Sequence, residues 1–115
     1  MQAPENGLVC QVVEKCNEPD KWNETSSTVM FLYLLKTSIN NGYIKASEYK
    51  QVVNKAYAGI IQKAKINDNG FIDLYECSSI GIQKDYHTYI SQKKEISPFA
   101  AFGSFIIGTG VMENR

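Results

Sequence analysis

The sequence predicts a helical fold of inner and outer helices joined by long loops, on three observations. Residues 29–35, Val-Met-Phe-Leu-Tyr-Leu-Leu, leave a helix no polar face, so that helix must be buried on every side. Further on, Tyr49, Val52, Val53, Ala56, Tyr57, Ile60 and Ile61 step by three and four, which puts one apolar stripe on a helix whose Lys50, Gln51, Asn54, Lys55, Gln62 and Lys63 face water. Near the end, Phe99, Phe102, Phe105, Ile106, Ile107 and Val111 cover too wide an arc for a surface helix. The first and last are therefore inner helices, and the amphipathic one is an outer helix packed antiparallel to the first.

Each element has local support. Residues 8–13, Leu-Val-Cys-Gln-Val-Val, form a short apolar run that fits either a strand or a helix end. Asn17, Glu18, Pro19 and Asp20 supply a turn leading to Trp22. The first helix spans residues 25–40, with the hydroxyls of Thr25, Ser26, Ser27 and Thr28 at its start and Asn40-Asn41-Gly42 as its stop signal. The second begins near Ser47, whose hydroxyl is its expected N-cap. Asn67-Asp68-Asn69-Gly70 is a turn before a short extended stretch at 71–75. Residues 77–95 show no sustained period, and Asp85-Tyr86-His87-Thr88-Tyr89 is an aromatic cluster on a loop, able to stack on a sugar or to pin the loop to the domain. Ser97-Pro98 opens the last helix with a hydroxyl cap and a proline, and Gly103, Gly108 and Gly110 permit close packing.

Composition narrows the classes of function. Twelve basic and twelve acidic residues cancel, which leaves no electrostatic footprint for nucleic acid and no polybasic surface for a membrane. The first seven residues lack the basic and apolar regions of a signal peptide, and the uncharged stretch 98–112 is shorter than the roughly 20 residues of a membrane span. A soluble chain is expected, with no compartment indicated. Cys10, Cys16 and Cys77 are odd in number and show no Cys-x-x-Cys spacing, so buried free thiols are expected and neither a disulfide framework nor a zinc site. His87 is the single histidine, which argues against a His-based metal site, and no cofactor is expected. Counted from Lys65, residues 65–76 resemble a calcium loop, but a lysine stands where the motif needs an aspartate ligand.

The start of the first helix is the region of chemical interest. Free N–H groups and the positive end of the helix dipole, beside Trp22 and Glu24, suit anionic oxygen, although the same hydroxyls serve equally as caps of a core helix. Two helices buried on all sides also need more cover than one amphipathic helix provides. The chain is thus expected either to self-associate or to be the end of a larger helical protein.

The order of several segments resembles a known family. Residues 8–13, the run 20–31 (Asp-Lys-Trp-Asn-Glu-Thr-Ser-Ser-Thr-Val-Met-Phe), Asn41-Gly42-Tyr43, residues 55–60, residues 67–74 and residues 97–113 look like the C-terminal part of the unsaturated glucuronyl and rhamnogalacturonyl hydrolases, glycoside hydrolase families 88 and 105. The resemblance implies an all-α fold, with residues 1–115 forming the C-terminal part of an (α/α)6 barrel, a six-hairpin domain with long pocket-side loops. It also implies an enzyme that removes 4,5-unsaturated uronic acid from lyase-generated oligosaccharides. Glycosidases generally use two carboxylates about the bond; this family instead protonates the enol-ether double bond from an aspartate and activates water, with no metal.

Carried over by position, Trp22, Glu24, Thr25, Ser26 and Ser27 would border the substrate pocket, with Ser26 and Ser27 hydrogen-bonding uronate oxygens. The catalytic aspartate belongs to the earlier part of the barrel, and Asp68, Asp73 and Asp85 match no catalytic motif, so no catalytic residue is expected in this chain. Two departures lie near the pocket: Val9-Cys10 before the Gln-Val pair, where the family often has an aromatic, and residues 95–99 where it often has Asn-Asp-x-x-Gly. The implied partners are an unsaturated uronic-acid oligosaccharide and either the remainder of the barrel or a second copy. The alternative is a non-catalytic helical carbohydrate-binding or oligomerisation module derived from the same fold.

Overall fold

The computed structural model describes residues 2–78, 81 and 83–113. The first long helix, α1 (Thr25–Asn40), has the expected bounds. It ends where Gly42 takes φ +74° and the amides of Asn41, Gly42 and Tyr43 return to the carbonyls of Thr37, Ile39 and Ser38. Helix α2 (Ala46–Lys63) follows after a short loop. Its N-cap is Lys45, with no side-chain cap, so Ser47 lies inside the first turn and does not cap it; Glu48 supplies the favourable charge there. A five-residue helix, α3 (Tyr86–Ile90), replaces the loop expected around the aromatic cluster, because the Asp85 carboxylate accepts from Thr88 N at 2.8 Å and from Thr88 Oγ1 at 2.9 Å. The last helix is α4 (Phe99–Glu113). Ser97 does not cap it: its hydroxyl accepts from Leu74 N at 2.8 Å.

Helix α1 lies between α2 and α4. Leu8, Val29, Leu32, Val53, Ile60, Leu74 and Phe105 make the core where they meet. On α2 the buried residues are Val53, Ala56, Gly59 and Ile60, while Val52 and Ile61 at the edge of the expected stripe stay partly exposed. Gly108 lets α4 approach α1, since a Cβ there would overlap Val29 Cγ1.

The expectation that α1 and α4 are buried all round is corrected. Met30, Phe31, Tyr33 and Leu34 on α1 and Phe99, Ile106 and Ile107 on α4 are exposed, with Phe99 at 97% and Leu34 at 58%. One face of each helix has an internal partner and the other does not, which is the shortage of cover that the sequence implies. Among the described residues no helix is long and apolar enough to cross a membrane.

The fold is also not purely helical. Strands β1 (Val9–Cys10) and β2 (Asn23–Glu24) pair antiparallel with Val9 opposite Glu24, and β3 (Ala64–Ile66) and β4 (Ile72–Leu74) form a hairpin with Lys65 opposite Asp73. The hairpin turn is made by Gly70 at φ +80° and by Asn67 Oδ1, which accepts from the amides of Asn69 (3.0 Å) and Phe71 (3.1 Å). Glu76 pairs with Lys63 at 2.7 Å and Lys94 at 3.7 Å. Two of the residues that the calcium-loop pattern invokes, Asn67 and Glu76, therefore have their oxygens engaged by amides and ammonium groups.

The cysteine reading is corrected too. Cys10 and Cys16 form a disulfide with Cα atoms 5.6 Å apart, and Cys77 is the free, buried thiol. A 3-10 turn at Val13–Lys15 folds the chain back between them, a geometry that Cys-x-x-Cys spacing does not test. Closing so short a loop stabilises the fold by about 2 kcal/mol in the chain-entropy treatment. Cys16→Ala is accordingly expected to lower the unfolding free energy by about that amount in urea titration, with an unchanged midpoint as the contrary result.

Candidate functional site

The strand β2 delivers Glu24 to the first turn of α1. Its backbone is extended (φ −107°, ψ 122°) while the next residue is helical, the geometry of an N-cap. The side chain is buried, with 4% exposure, and its carboxylate accepts from Ser26 N (3.1 Å), Ser26 Oγ (2.6 Å), Ser27 N (2.6 Å) and Ser78 N (2.8 Å). Glu24 forms no ion pair among the described residues. Donated hydrogens and the helix dipole carry the charge instead.

The hydroxyls expected to cap α1 do not do so. Thr25 Oγ1 donates to Tyr75 O at 2.7 Å, and Thr25 N donates to Glu76 O, which fastens the helix start to the segment after β4. Thr28 Oγ1 donates to Glu24 O at 2.6 Å and accepts from Val9 N at 2.9 Å, which fastens it to β1. A carboxylate with two oxygens outcompetes hydroxyls for the first-turn amides, so the hydroxyls are released to the neighbouring strands.

A cavity of about 730 Å³ opens beside this helix start. Its polar lining is Gln11, Glu24, Ser26, Ser27, Ser78 and Tyr89, and Met30, Pro98 and Phe99 contribute apolar wall. Of the five residues expected at a pocket, the structure brings Glu24, Ser26 and Ser27 together there. Thr25 is fully buried and turned to Tyr75. Trp22 is buried outside the lining, its carbonyl accepting from Gln11 N at 3.0 Å and its ring 5.5 Å from Lys94 Nζ. Within the aromatic cluster the roles divide: Tyr89 lines the cavity, while Tyr86 pins the loop through a 2.6 Å hydrogen bond to Asp20, which pushes its hydroxyl pKa up to about 12. Sequence reasoning missed Gln11 as a site residue. The available signal was a polar residue inside the apolar run 8–13.

The chemistry of the opening differs from the expected anion site. The helix-start N–H groups are occupied by the chain's own carboxylate, and a second carboxylate beside Glu24 would meet like charge. Ser26 Oγ has given its hydrogen to Glu24 and can only accept from a ligand. Ser27 Oγ lies 3.5 Å from Glu24 O, a long contact that leaves it able to donate. Asp68, Asp73 and Asp85 do not line the cavity. No group of three or more His, Cys, Asp or Glu side chains that could hold a metal ion occurs among the described residues.

Cys77 lies close behind Glu24, and burial, followed by the Glu24 charge, pushes its thiol pKa up to about 12. At neutral pH it is a protonated, inert thiol. The unfolded chain releases this proton near pH 9 and the folded chain holds it to about pH 12, so the unfolded form binds fewer protons across that window. Stability should therefore fall as pH rises from about 9 to 12, and the fall should disappear in Cys77→Ala; melting curves over that range check the sign.

Comparison with known proteins places the chain in a family. The family model for Glycosyl Hydrolase Family 88 matches residues 1–112. The chain belongs to that family. Two solved structures share the fold: a glycoside hydrolase from family 105 of C. acetobutylicum, at 21% identity and TM-score 0.85 over 99% of this chain, and a possible member of family 105 from Klebsiella pneumoniae, at 22% identity and TM-score 0.74 over 99% of this chain. The chain spans 34% of the first and 28% of the second, about a third of each.

Proposed function

We propose that residues 1–115 form the C-terminal part of a six-hairpin helical barrel and supply one wall of the pocket in which a family 88 hydrolase hydrates the double bond of a 4,5-unsaturated uronic acid and so releases it from an oligosaccharide. The observation that carries this reading is the cavity at the start of α1, where Glu24, Ser26 and Ser27 meet in a chain of that family. Glu24 acts there as a structural anchor: its four accepted hydrogen bonds hold the serines and the 78 amide in place. Ser27 donates to a substrate oxygen, Ser26 accepts from a substrate hydroxyl, and Tyr89 and Phe99 offer aromatic surface to a sugar face. The proton donor is an aspartate of the preceding part of the barrel, for which this chain has no counterpart in its lining.

The exposed apolar faces of α1 and α4 support a barrel remainder as their cover and equally suit the second reading, a non-catalytic carbohydrate-binding or oligomerisation module. An amide nitrogen–proton spectrum of the chain, titrated with an unsaturated uronic-acid disaccharide, tests the pocket-wall reading. Shifts of the Ser26, Ser27 and Ser78 amides, without loss of the enol-ether absorbance, are expected. A dispersed spectrum that ignores the sugar would overturn the pocket-wall assignment, and turnover by this chain alone would overturn the assignment of the acid to another segment.

A further inference from the structure

Helix α3 carries Tyr89 into the lining of the cavity, yet none of its own residues is buried. A helix of five residues without a buried face has little packing to fix its place. Its hydrogen bonds are spent mostly within the segment: Asp85 caps it, and Ser91 and Gln92 return to the carbonyls of His87, Thr88 and Tyr89. Among the described residues, the one hydrogen bond that leaves the segment 85–92 runs from Tyr86 Oη to Asp20 Oδ1, at 2.6 Å and across 66 positions. The acceptor stands on a fastened turn. Lys21 N donates to Glu18 O and Glu18 N to Lys15 O, and the Cys10–Cys16 bond ties this turn to β1. At the base of the segment, Cys77 and Glu95 exchange backbone hydrogen bonds of 3.2 and 2.8 Å. The segment is thus closed at its base and held at its far end by Tyr86.

We propose that Tyr86 is a positioning residue for sugar binding: its bond to Asp20 sets the rotation of α3 that stands the Tyr89 ring at the cavity, where that ring takes the face of the sugar. The proposal deepens the pocket-wall reading above and rests on it. Residues three apart on a helix are neighbours on one side of it, so a hydroxyl fixed at 86 fixes the direction of the ring at 89. Tyr89 is only partly buried, which leaves its ring open to a ligand. Tyr86 does not line the cavity and acts through Tyr89. Without the bond, α3 keeps its Asp85 cap but is free to turn about its base, and a ring that must be ordered at the moment of binding costs affinity.

The test is a double-mutant cycle read by titration with the unsaturated uronic-acid disaccharide, following the amides of Ser26 and Ser27. Tyr86→Phe, which removes only the hydroxyl, should bind about fivefold more weakly than the parent, the order of one hydrogen bond. Asp20→Asn keeps an acceptor for that hydroxyl and should bind within about twofold of the parent, whereas Asp20→Ala should match Tyr86→Phe. Tyr89→Ala should lose about tenfold, the order of one aromatic contact. Adding Tyr86→Phe to Tyr89→Ala should cost nothing further, because a residue that acts through Tyr89 has no effect once that ring is gone. Equal losses from Tyr86→Phe with and without Tyr89, or parent-like binding by Tyr86→Phe or by Tyr89→Ala, overturn the proposal and leave the pocket-wall reading standing. A parent chain that ignores the sugar removes both.

Discussion

Glu24→Ala should lower the unfolding free energy by about 3 kcal/mol, the largest loss expected from any change at the site. The substitution removes the acceptor for Ser26 N, Ser27 N, Ser26 Oγ and Ser78 N together, in a place that water reaches poorly, since Glu24 is 4% exposed. Each of the three abandoned backbone donors carries a penalty of about 1 kcal/mol, which already contains the loss of the cap, while the freed Ser26 hydroxyl can turn to another acceptor. Glu24→Gln should be milder, because the amide oxygen still accepts while its NH2 faces a backbone N–H. Urea denaturation of the parent and both variants measures this order. A loss below about 1 kcal/mol for Glu24→Ala would mean that the serine hydroxyls cap α1 after all.

The second large effect is a reversal of sign between glycines of one helix. At Gly108 a Cβ would overlap Val29 Cγ1 and stand 3.2 Å from Val29 O, whereas at Gly103 nothing lies within 4 Å. Alanine is favoured over glycine in a helix interior by about 1 kcal/mol. Gly103→Ala should therefore stabilise by up to about that amount. Gly108→Leu should destabilise by about 3 kcal/mol, since α4 must leave α1 to make room, and Val29→Ala in the same chain should recover part of the loss. Thermal melts of the three variants decide the matter. Equal effects at 103 and 108 would contradict the close approach of α1 and α4.

Much of the helical layer was legible from residue order. The bounds of α1 followed from its apolar run and from Asn41-Gly42, and the buried face of α2 followed from its stripe, because helical periodicity is a property of neighbouring residues. The family signature in residues 20–31 likewise marked the segment that borders the cavity. The two-residue ladder of β1 and β2 was not legible, as a strand that short has no period and exists through pairing of residues 9–10 with 23–24. The disulfide was missed for a related reason: an odd cysteine count conceals a bond set by a turn that brings Cα atoms to 5.6 Å.

At the site, sequence supplied the ingredients and packing assigned the roles. Thr25, Ser26, Ser27 and Thr28 are alike as cap formers, yet Thr25 binds Tyr75 O, Thr28 bridges Val9 and Glu24, and Ser26 and Ser27 are left at the cavity. Val9 and Tyr75 lie 19 and 50 residues from the threonines they bind, beyond any local rule. By itself the sequence determined the span of α1, the stripe of α2, which helices are apolar, and to which family the pattern bears resemblance, all consequences of near-neighbour spacing and composition. Only the tertiary structure decided that Glu24 fills the helix start, that the Gln11 amide is buried without a hydrogen-bonding partner among the described residues, and that α1 and α4 each keep an uncovered apolar face, because hydrogen-bond competition and burial depend on what distant segments bring to the same place.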